Sequence, residues 1–547
     1  MGSNPSSNTI DMWIRRPPLS LQFIAPSLLV GYCLCVVTVR SFTLSREFDV
    51  GGKFYGSLPG LRPGWMWGRS VDLSDIQWRE FRGNLPVLTL VMAIFVGMSR
   101  LIRGRCPDWT LHFYIVSSLA FVGYLHGSFT IHVILAALLN FFVAKATAGT
   151  MLGSLAPWVC NCSILILARV TDGLPFSWMS RHLHWVDTLK GPLRWHIGFN
   201  LVVLRFISFS MDHHWMKTGK DTASAKKNDF RDRGLLDPHA GVKARSSTPL
   251  QPDEYNLLQF LVYVLYPPLY IAGPTSTYNN FAHQLRNRGR ISAKRIAGYG
   301  VRFLVGMLVV EAVAHTMYVN SIAKYRLWKK FGDWDSLTLS VIGFWVLIFM
   351  WLKFFVIWRF FRFWSLADDV EPPENMCRCL CNNYDIEGFW KNWHASYNLW
   401  LVRYIYLPLG GSKMRLLNVW CVFTFVALWH DLEWKLLGWA WMMAAFIAPE
   451  MGVKWAAKQQ NVRQYHDSWW FPHLRAGAAS LNIAVLMTAN MVGFVVGLDG
   501  VGDFLRGVFG SMTLSCAVFL AFFSAAHLMF GIRALESERG KRLCPMG

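Results

Sequence analysis

Apolar residues along this chain come in long runs, not in the short periodic stripes of a soluble helix. The runs are Leu19–Val39, Leu85–Leu101, Trp109–Gly127, Phe129–Ala146, Leu152–Val170, Leu257–Ala272, Val301–Tyr318, Leu337–Trp358, Leu436–Val453, Ala478–Val496 and Met512–Phe530. Each approaches the ~20 residues that carry a helix across the hydrocarbon core of a bilayer, and some fall a few short. They predict an all-α polytopic membrane protein with about eleven transmembrane or re-entrant helices. The runs share no repeat period, so 19–547 reads as one integral membrane domain behind a polar tail, 1–18.

Two polar pieces interrupt the pattern. Residues 210–254 mix Lys217, Lys220, Lys226, Lys227, Asp229, Arg231, Asp232 and Arg233 with Gly, Ser and Pro, and predict a flexible soluble loop. Residues 41–82 carry Trp65, Trp67 and Trp78 among several glycines; tryptophans favour the headgroup zone, which places this piece on the membrane surface.

Two apolar stretches carry polar or helix-breaking residues. In Trp195–Ser210, His196 and Asn200 are i, i+4 neighbours on one helical face and Arg205 falls on roughly the opposite side. A polar pair of that kind suits a helix facing protein or a wet cavity as well as one that is merely buried. Tyr263-Val-Leu-Tyr-Pro-Pro-Leu-Tyr-Ile-Ala-Gly-Pro274 cannot continue a regular helix. Backbone freed at membrane depth must be buried in protein or line a polar cavity.

Composition sharpens the class. Of 547 residues 53% are hydrophobic and 16% charged, against roughly a quarter charged in soluble proteins. The net charge of +21 sits in short loops between spans, which points to the cytoplasmic face and anionic membrane lipids rather than nucleic acid. One basic group (Arg286, Arg288, Arg290, Lys294, Arg295) and another (Lys324, Arg326, Lys329, Lys330) flank a single apolar run. They cannot both be inside loops of one simple crossing. Eleven scattered cysteines are no disulfide framework. Met-Gly2-Ser-Asn-Pro-Ser6 fits the form of an N-myristoylation signal, of little use to a chain with many spans.

The candidate chemistry lies in two histidines. His430 ends the run Leu416–Leu428, whose only polar members are Asn418 and Thr424; fourteen helical steps of ~1.5 Å put it roughly 20 Å into the membrane. Asp431, Glu433 and Lys435 follow at once, which implies a wet, protein-lined cavity. A neutral imidazole there can take the proton of a hydroxyl as that hydroxyl attacks a carbonyl. The alternative is a helix-terminal histidine bonded to a backbone carbonyl. His394 stands in an aromatic segment with Asn392, Trp393, Ser396, Asn398 and Arg403 that breaks at Pro408-Leu-Gly-Gly411. It could orient an acceptor or stabilise an oxyanion; aromatic packing is the competing role.

The tract from Trp390 to Ser412, the Leu-Trp-His-Asp around His430 and the Tyr-Pro-Pro-Leu-Tyr-Ile-Ala-Gly-Pro stretch together resemble the membrane-bound O-acyltransferase (MBOAT) family, over a motif core of 194–450. Within it the likeness points to the fungal glycerol-uptake branch that remodels glycosylphosphatidylinositol (GPI) anchors, and more distantly to hedgehog acyltransferase. The resemblance implies a helical bundle with an internal tunnel, in the endoplasmic reticulum membrane. It implies acyl transfer from long-chain acyl-CoA to a hydroxyl of a lipid-linked acceptor such as a lyso-GPI anchor. His430 would be the catalytic residue and His394 a second polar catalytic position, with Asn392, Trp393, Asn398, Arg403, Trp429 and Asp431 around the substrates. Hedgehog acyltransferase has aspartate at the position of His394, which argues against an amine acceptor.

In Cys377-Arg-Cys379-Leu-Cys381 the alternating cysteines are not a usual zinc spacing. The resemblance to hedgehog acyltransferase implies a structural haem ligated by the Cys379 thiolate; S-acylation or no role are the alternatives. Two other functions compete with lipid O-acylation: a protein acyltransferase resembling hedgehog acyltransferase, and a glycerol transporter or facilitator. A transporter would show inverted repeats with broken helices in both halves, and only one broken segment is visible.

Overall fold

The computed structural model describes residues 21–219, 240–286, 289–330 and 334–539. The polar tail with its myristoylation pattern, and Lys220 to Arg233 of the expected loop, lie outside the described residues. The principal helices are α1 (Leu21–Arg46), α2 (Ile76–Arg105), α3 (Thr110–His126), α4 (Thr130–Thr147), α5 (Ala156–Val170), α6 (Trp195–Thr218), α7 (Ala240–Ser247), α8 (Leu257–Leu265), α9 (Tyr278–Arg286) and α10 (Ala293–Thr316). They continue as α11 (Ser336–Ala367), α12 (Ile386–Asn392), α13 (Ala395–Leu401), α14 (Arg415–His430), α15 (Trp434–Ala456), α16 (Phe471–Met491), α17 (Gly497–Val508) and α18 (Met512–Glu538).

Eight described helices are long and apolar enough to cross a membrane: α1, α2, α4, α10, α11, α15, α16 with its continuation to Val496, and α18. The protein is a polytopic all-α bundle. The other three runs read as spans form shorter helices, of 17 residues in α3, 15 in α5 and nine in α8. The only sheet among the described residues is a hairpin of β1 (Leu61–Pro63) and β2 (Ser70–Asp72).

The centre of the bundle is built on α6 and α11. α6 is buried on nearly every side, its polar members Asn200, Arg205, Ser208, Asp212 and His213 included. Its burial corrects the expected loop: 210–218 is helix, because Asp212 is held by Arg403 at 2.9 Å and by the Tyr404 hydroxyl at 2.9 Å. At the far end of the expected loop, α7 packs on α9, with Arg245 bonded to Asn280 at 2.8 Å. The 41–82 segment also departs from a surface layer. Trp65 and Trp67 are exposed, yet Trp78 is fully buried, and Trp65 and Arg82 both hold Glu311 of α10.

The broken helix has a physical account. Pro267 and Pro268 lack the N–H groups that would bond the carbonyls of Tyr263 and Val264. Arg205 supplies the donors instead, bonding the Val264 carbonyl at 2.5 Å, the Tyr263 carbonyl at 3.4 Å and the Leu269 carbonyl. Nearby, the buried Asp368 accepts from the hydroxyls of Tyr266 (2.5 Å), Tyr114 (2.7 Å) and Ser99 and pairs with Arg103 at 3.0 Å. That carboxylate ties α2, α3 and the break to the end of α11.

The second basic group is tied to the protein: Lys329 pairs with Asp503 at 2.7 Å, Arg326 bonds the Val496 carbonyl at 2.8 Å and Lys324 bonds the Ser74 carbonyl at 2.9 Å.

Candidate active site

Two short helices and a turn bring His394 into the bundle. Glu450 of α15 accepts from the Ile386 amide at 2.7 Å and the Glu387 amide at 3.4 Å. A carboxylate at a helix N-terminus satisfies orphan donors and opposes the helix dipole, so α12 starts there. α12 ends at Asn392, Trp393 is extended, and His394 takes a left-handed conformation with φ 46° and ψ 46°. Such a conformation costs a non-glycine residue about 1–2 kcal/mol. The following helix compensates: Asn375 accepts from the Ser396 hydroxyl at 2.5 Å and amide at 3.2 Å, and its own carbonyl accepts from the Ala395 amide at 2.9 Å. The strained turn aims the imidazole of His394 flat against Trp358 of α11, ring centroids 4.5 Å apart.

His430 arrives from the other side, as the last residue of α14. Asp431 is fully extended and ends the helix. Between the two histidines stands Trp429, with ring centroids 6.2 Å from His394 and 4.8 Å from His430. Trp429 is fixed on both sides. It stacks on Tyr397 at 4.4 Å, its indole N–H donates to the Asn200 carbonyl at 2.7 Å, and the Asn200 amide donates back to the Trp429 carbonyl at 2.5 Å. The same amide lies 3.4 Å from the His430 carbonyl. Trp439 and Phe494 approach the His430 ring edge-on, at 6.2 and 6.4 Å.

Among the described residues neither imidazole is hydrogen bonded. Both face a cavity of about 1510 Å³ walled largely by aromatic and aliphatic side chains of α11, α14, α16 and α18. This exceeds the usual pocket of about 300–1,000 Å³ for one small ligand. It has room for a long acyl chain beside a second substrate. An unbonded imidazole on a largely apolar cavity wall is well placed to exchange a proton with a substrate hydroxyl.

The residues singled out from sequence divide into two groups. Trp393, His394, Asn398, Trp429 and His430 line the cavity together. Asn392, Arg403 and Asp431 do not. The Asn392 amide bonds the Gly388 carbonyl one turn back at 2.7 Å. Arg403 pairs with Asp212 and lies over the Trp215 ring at 5.0 Å. Asp431 sits 3.7 Å from Arg169. Glu433 and Lys435 do not wet the cavity either; they are exposed and pair with each other at 2.5 Å. His196 separates from Asn200 in role, lying 3.4 Å from Asp172.

Sequence reasoning passed over Tyr397 and Trp358, whose rings pack on His394, and over Lys353, which lines the same cavity. Lys353 left a signal: it is the only charged side chain between Asp335 and Arg359.

Haem does not fit at Cys379. A thiolate ligand needs an apolar slot open on its sulfur to receive the macrocycle, and Cys379 is instead packed against the hydrophobic core. Cys381, not Cys379, borders the cavity. No cluster of three or more metal-ligating side chains occurs among the described residues.

Comparison with known proteins agrees with the geometry. The model of the membrane-bound O-acyltransferase family matches residues 162–481, more than half of the chain. The membrane-bound O-acyltransferase gup1 of Schizosaccharomyces pombe is 36% identical over 538 residues, covering 96% of this chain and 90% of the relative. GUP1 of Saccharomyces cerevisiae is 35% identical over 492 residues, covering 88% and 85%. The protein-cysteine N-palmitoyltransferase HHAT of Mus musculus is 28% identical over 245 residues, covering 42% and 48%. With a matching family model and two full-length relatives around this cavity, the chain belongs to the membrane-bound O-acyltransferase family and is an acyltransferase.

Proposed function

We propose that the protein transfers a long-chain acyl group from acyl-CoA to a hydroxyl of a lipid-linked acceptor, the lyso-form of a GPI anchor, in the endoplasmic reticulum membrane. The observation that carries this reading is the pair of unbonded imidazoles, His394 and His430, on the wall of one large apolar cavity. His430 accepts the acceptor's hydroxyl proton as its oxygen attacks the thioester carbonyl. The tetrahedral intermediate then collapses, the C–S bond breaks, and the imidazolium returns the proton to the coenzyme A thiolate. His394, stacked on Trp358, acts as the positioning and oxyanion-facing partner. Trp393, Asn398 and Trp429 shape the wall against which acyl chain and acceptor lie.

HHAT is named for palmitoyl transfer to a protein cysteine, so a peptide acceptor is the second reading. The test is the purified full chain in an uncharged detergent, given palmitoyl-CoA with lysophosphatidylinositol or with an N-terminal-cysteine peptide. Coenzyme A release and the acylated product are followed by mass spectrometry. Acylation of the lysolipid alone is expected; acylation of the peptide alone would overturn the lipid reading.

A further inference from the structure

The cavity has a second polar pole. Among the described residues, Asp75, Lys324 and Lys353 are the only lining side chains that carry a full charge, and they are lined up with Ser74, Gln77 and Asn320 at one place. Lys353 sits inside the apolar span α11 with its side chain 7% exposed. An ionisable group at that depth marks a substrate path or a functional site far more often than idle packing. Its ammonium lies 2.7 Å from Asp75, whose other carboxylate oxygen caps α2 by accepting from the Trp78 amide at 2.8 Å. The Asp75 carboxylate is thus shared between a helix cap and the Lys353 ammonium, while the Lys324 ammonium donates to the neighbouring Ser74 carbonyl at 2.9 Å. The Asn320 amide nitrogen is buried without a hydrogen-bond partner. Among its lining side chains the pole is therefore rich in donors and net positive, with two ammonium groups to one carboxylate.

We infer that this pole binds the phosphate ester of a substrate, with Lys353, Lys324 and the Asn320 amide as donors; the inference rests on the lipid O-acyltransferase reading. Its spacing along α11 from the His394 contact favours one source of that phosphate. Lys353 lies five residues before Trp358, the ring on which His394 stacks, or about 7.5 Å along the helix axis. Its ammonium covers Phe354, whose ring meets Trp393. In a lysophospholipid only a short glycerol bridge separates the phosphodiester from the free hydroxyl, which suits this spacing. The pantetheine arm between the phosphates and the thioester of acyl-CoA is much longer.

The experiment uses the full chain in an uncharged detergent and compares wild type with Lys353→Arg and with the double variant Lys353→Met/Asp75→Asn, which leaves no buried charge unpaired. KM is measured for lysophosphatidylinositol, for an uncharged monoacylglycerol of the same chain length, and for palmitoyl-CoA. Binding of a fluorescent lysophosphatidylinositol is read in parallel by energy transfer from the cavity tryptophans. The double variant should raise KM and Kd for lysophosphatidylinositol about tenfold, the worth of one charge-assisted hydrogen bond, with monoacylglycerol and palmitoyl-CoA unchanged. Lys353→Arg should recover most of the loss. A rise confined to palmitoyl-CoA would assign the phosphate subsite to the donor. Equal effects on charged and uncharged acceptors, or none, would overturn the subsite. Lysolipid binding that depends on Lys353 but leads to no turnover would sink the lipid-acceptor reading and leave the subsite standing; turnover that ignores Lys353 would do the reverse.

Discussion

Arg205 and His430 are both polar side chains deep in an apolar bundle, and they stand at opposite extremes. Arg205 spends its guanidinium on three backbone carbonyls around the break, two of them stranded by Pro267 and Pro268. Asp212 and Asp368 behave alike, each surrounded by donors from several helices. His430 and His394 make no hydrogen bond among the described residues and look into open space. Where a buried polar group is fully satisfied, it holds the architecture together; where it is left unsatisfied beside a cavity, it is free to meet a substrate. The difference matters because an unpaired buried group costs about 1–3 kcal/mol, which selection tolerates where chemistry needs the group free.

The comparison can be broken at its architectural end first. Arg205→Met should strand three carbonyls and cost about 3 kcal/mol or more. We expect little monodisperse protein and a lowered Tm in detergent; a stable, active variant would show that the break needs no guanidinium. At the chemical end, His394→Asn removes the imidazole but keeps a residue that tolerates the left-handed turn. Turnover should fall about 100-fold with Tm and the KM for acyl-CoA little changed, as read by coenzyme A release. A parallel loss of stability would make His394 a packing residue. Asn200→Ala probes the link between the two ends. It removes the amide that bonds the Trp429 and His430 carbonyls without touching either imidazole and should lower kcat about tenfold, within the range of a misplaced catalytic group. An unchanged kcat would mean that the Asn200 backbone carbonyl and Tyr397 suffice to hold Trp429.

Much of this arrangement was legible along the chain. Long apolar runs revealed the bundle, and eight of the eleven became helices long enough to span. The proline pair announced a broken helix, and the helical phase separated Arg205 from Asn200 as the structure does: one serves the break, the other Trp429. The histidines stood out because ionisable groups are rare in such surroundings. Elsewhere local polarity misled. Asn392, Arg403 and Asp431 read as substrate contacts, yet a backbone carbonyl, Asp212 and Arg169 take them up. Partners of that kind come from distant segments, and a single sequence does not pair them. The left-handed turn at His394 was invisible for a similar reason: Asn375 and Glu450, which hold the helices on either side, lie 19 residues before it and 56 after.

The most direct test of the central claim is single-turnover acyl transfer by His430→Ala beside wild type, with thermal unfolding measured on the same preparations. The account predicts a loss of about 10²–10⁴-fold in the chemical step, the contribution of a positioned general base, at an unchanged Tm, since His430 bonds nothing that holds the fold. Transfer at the wild-type rate from the folded variant would contradict it.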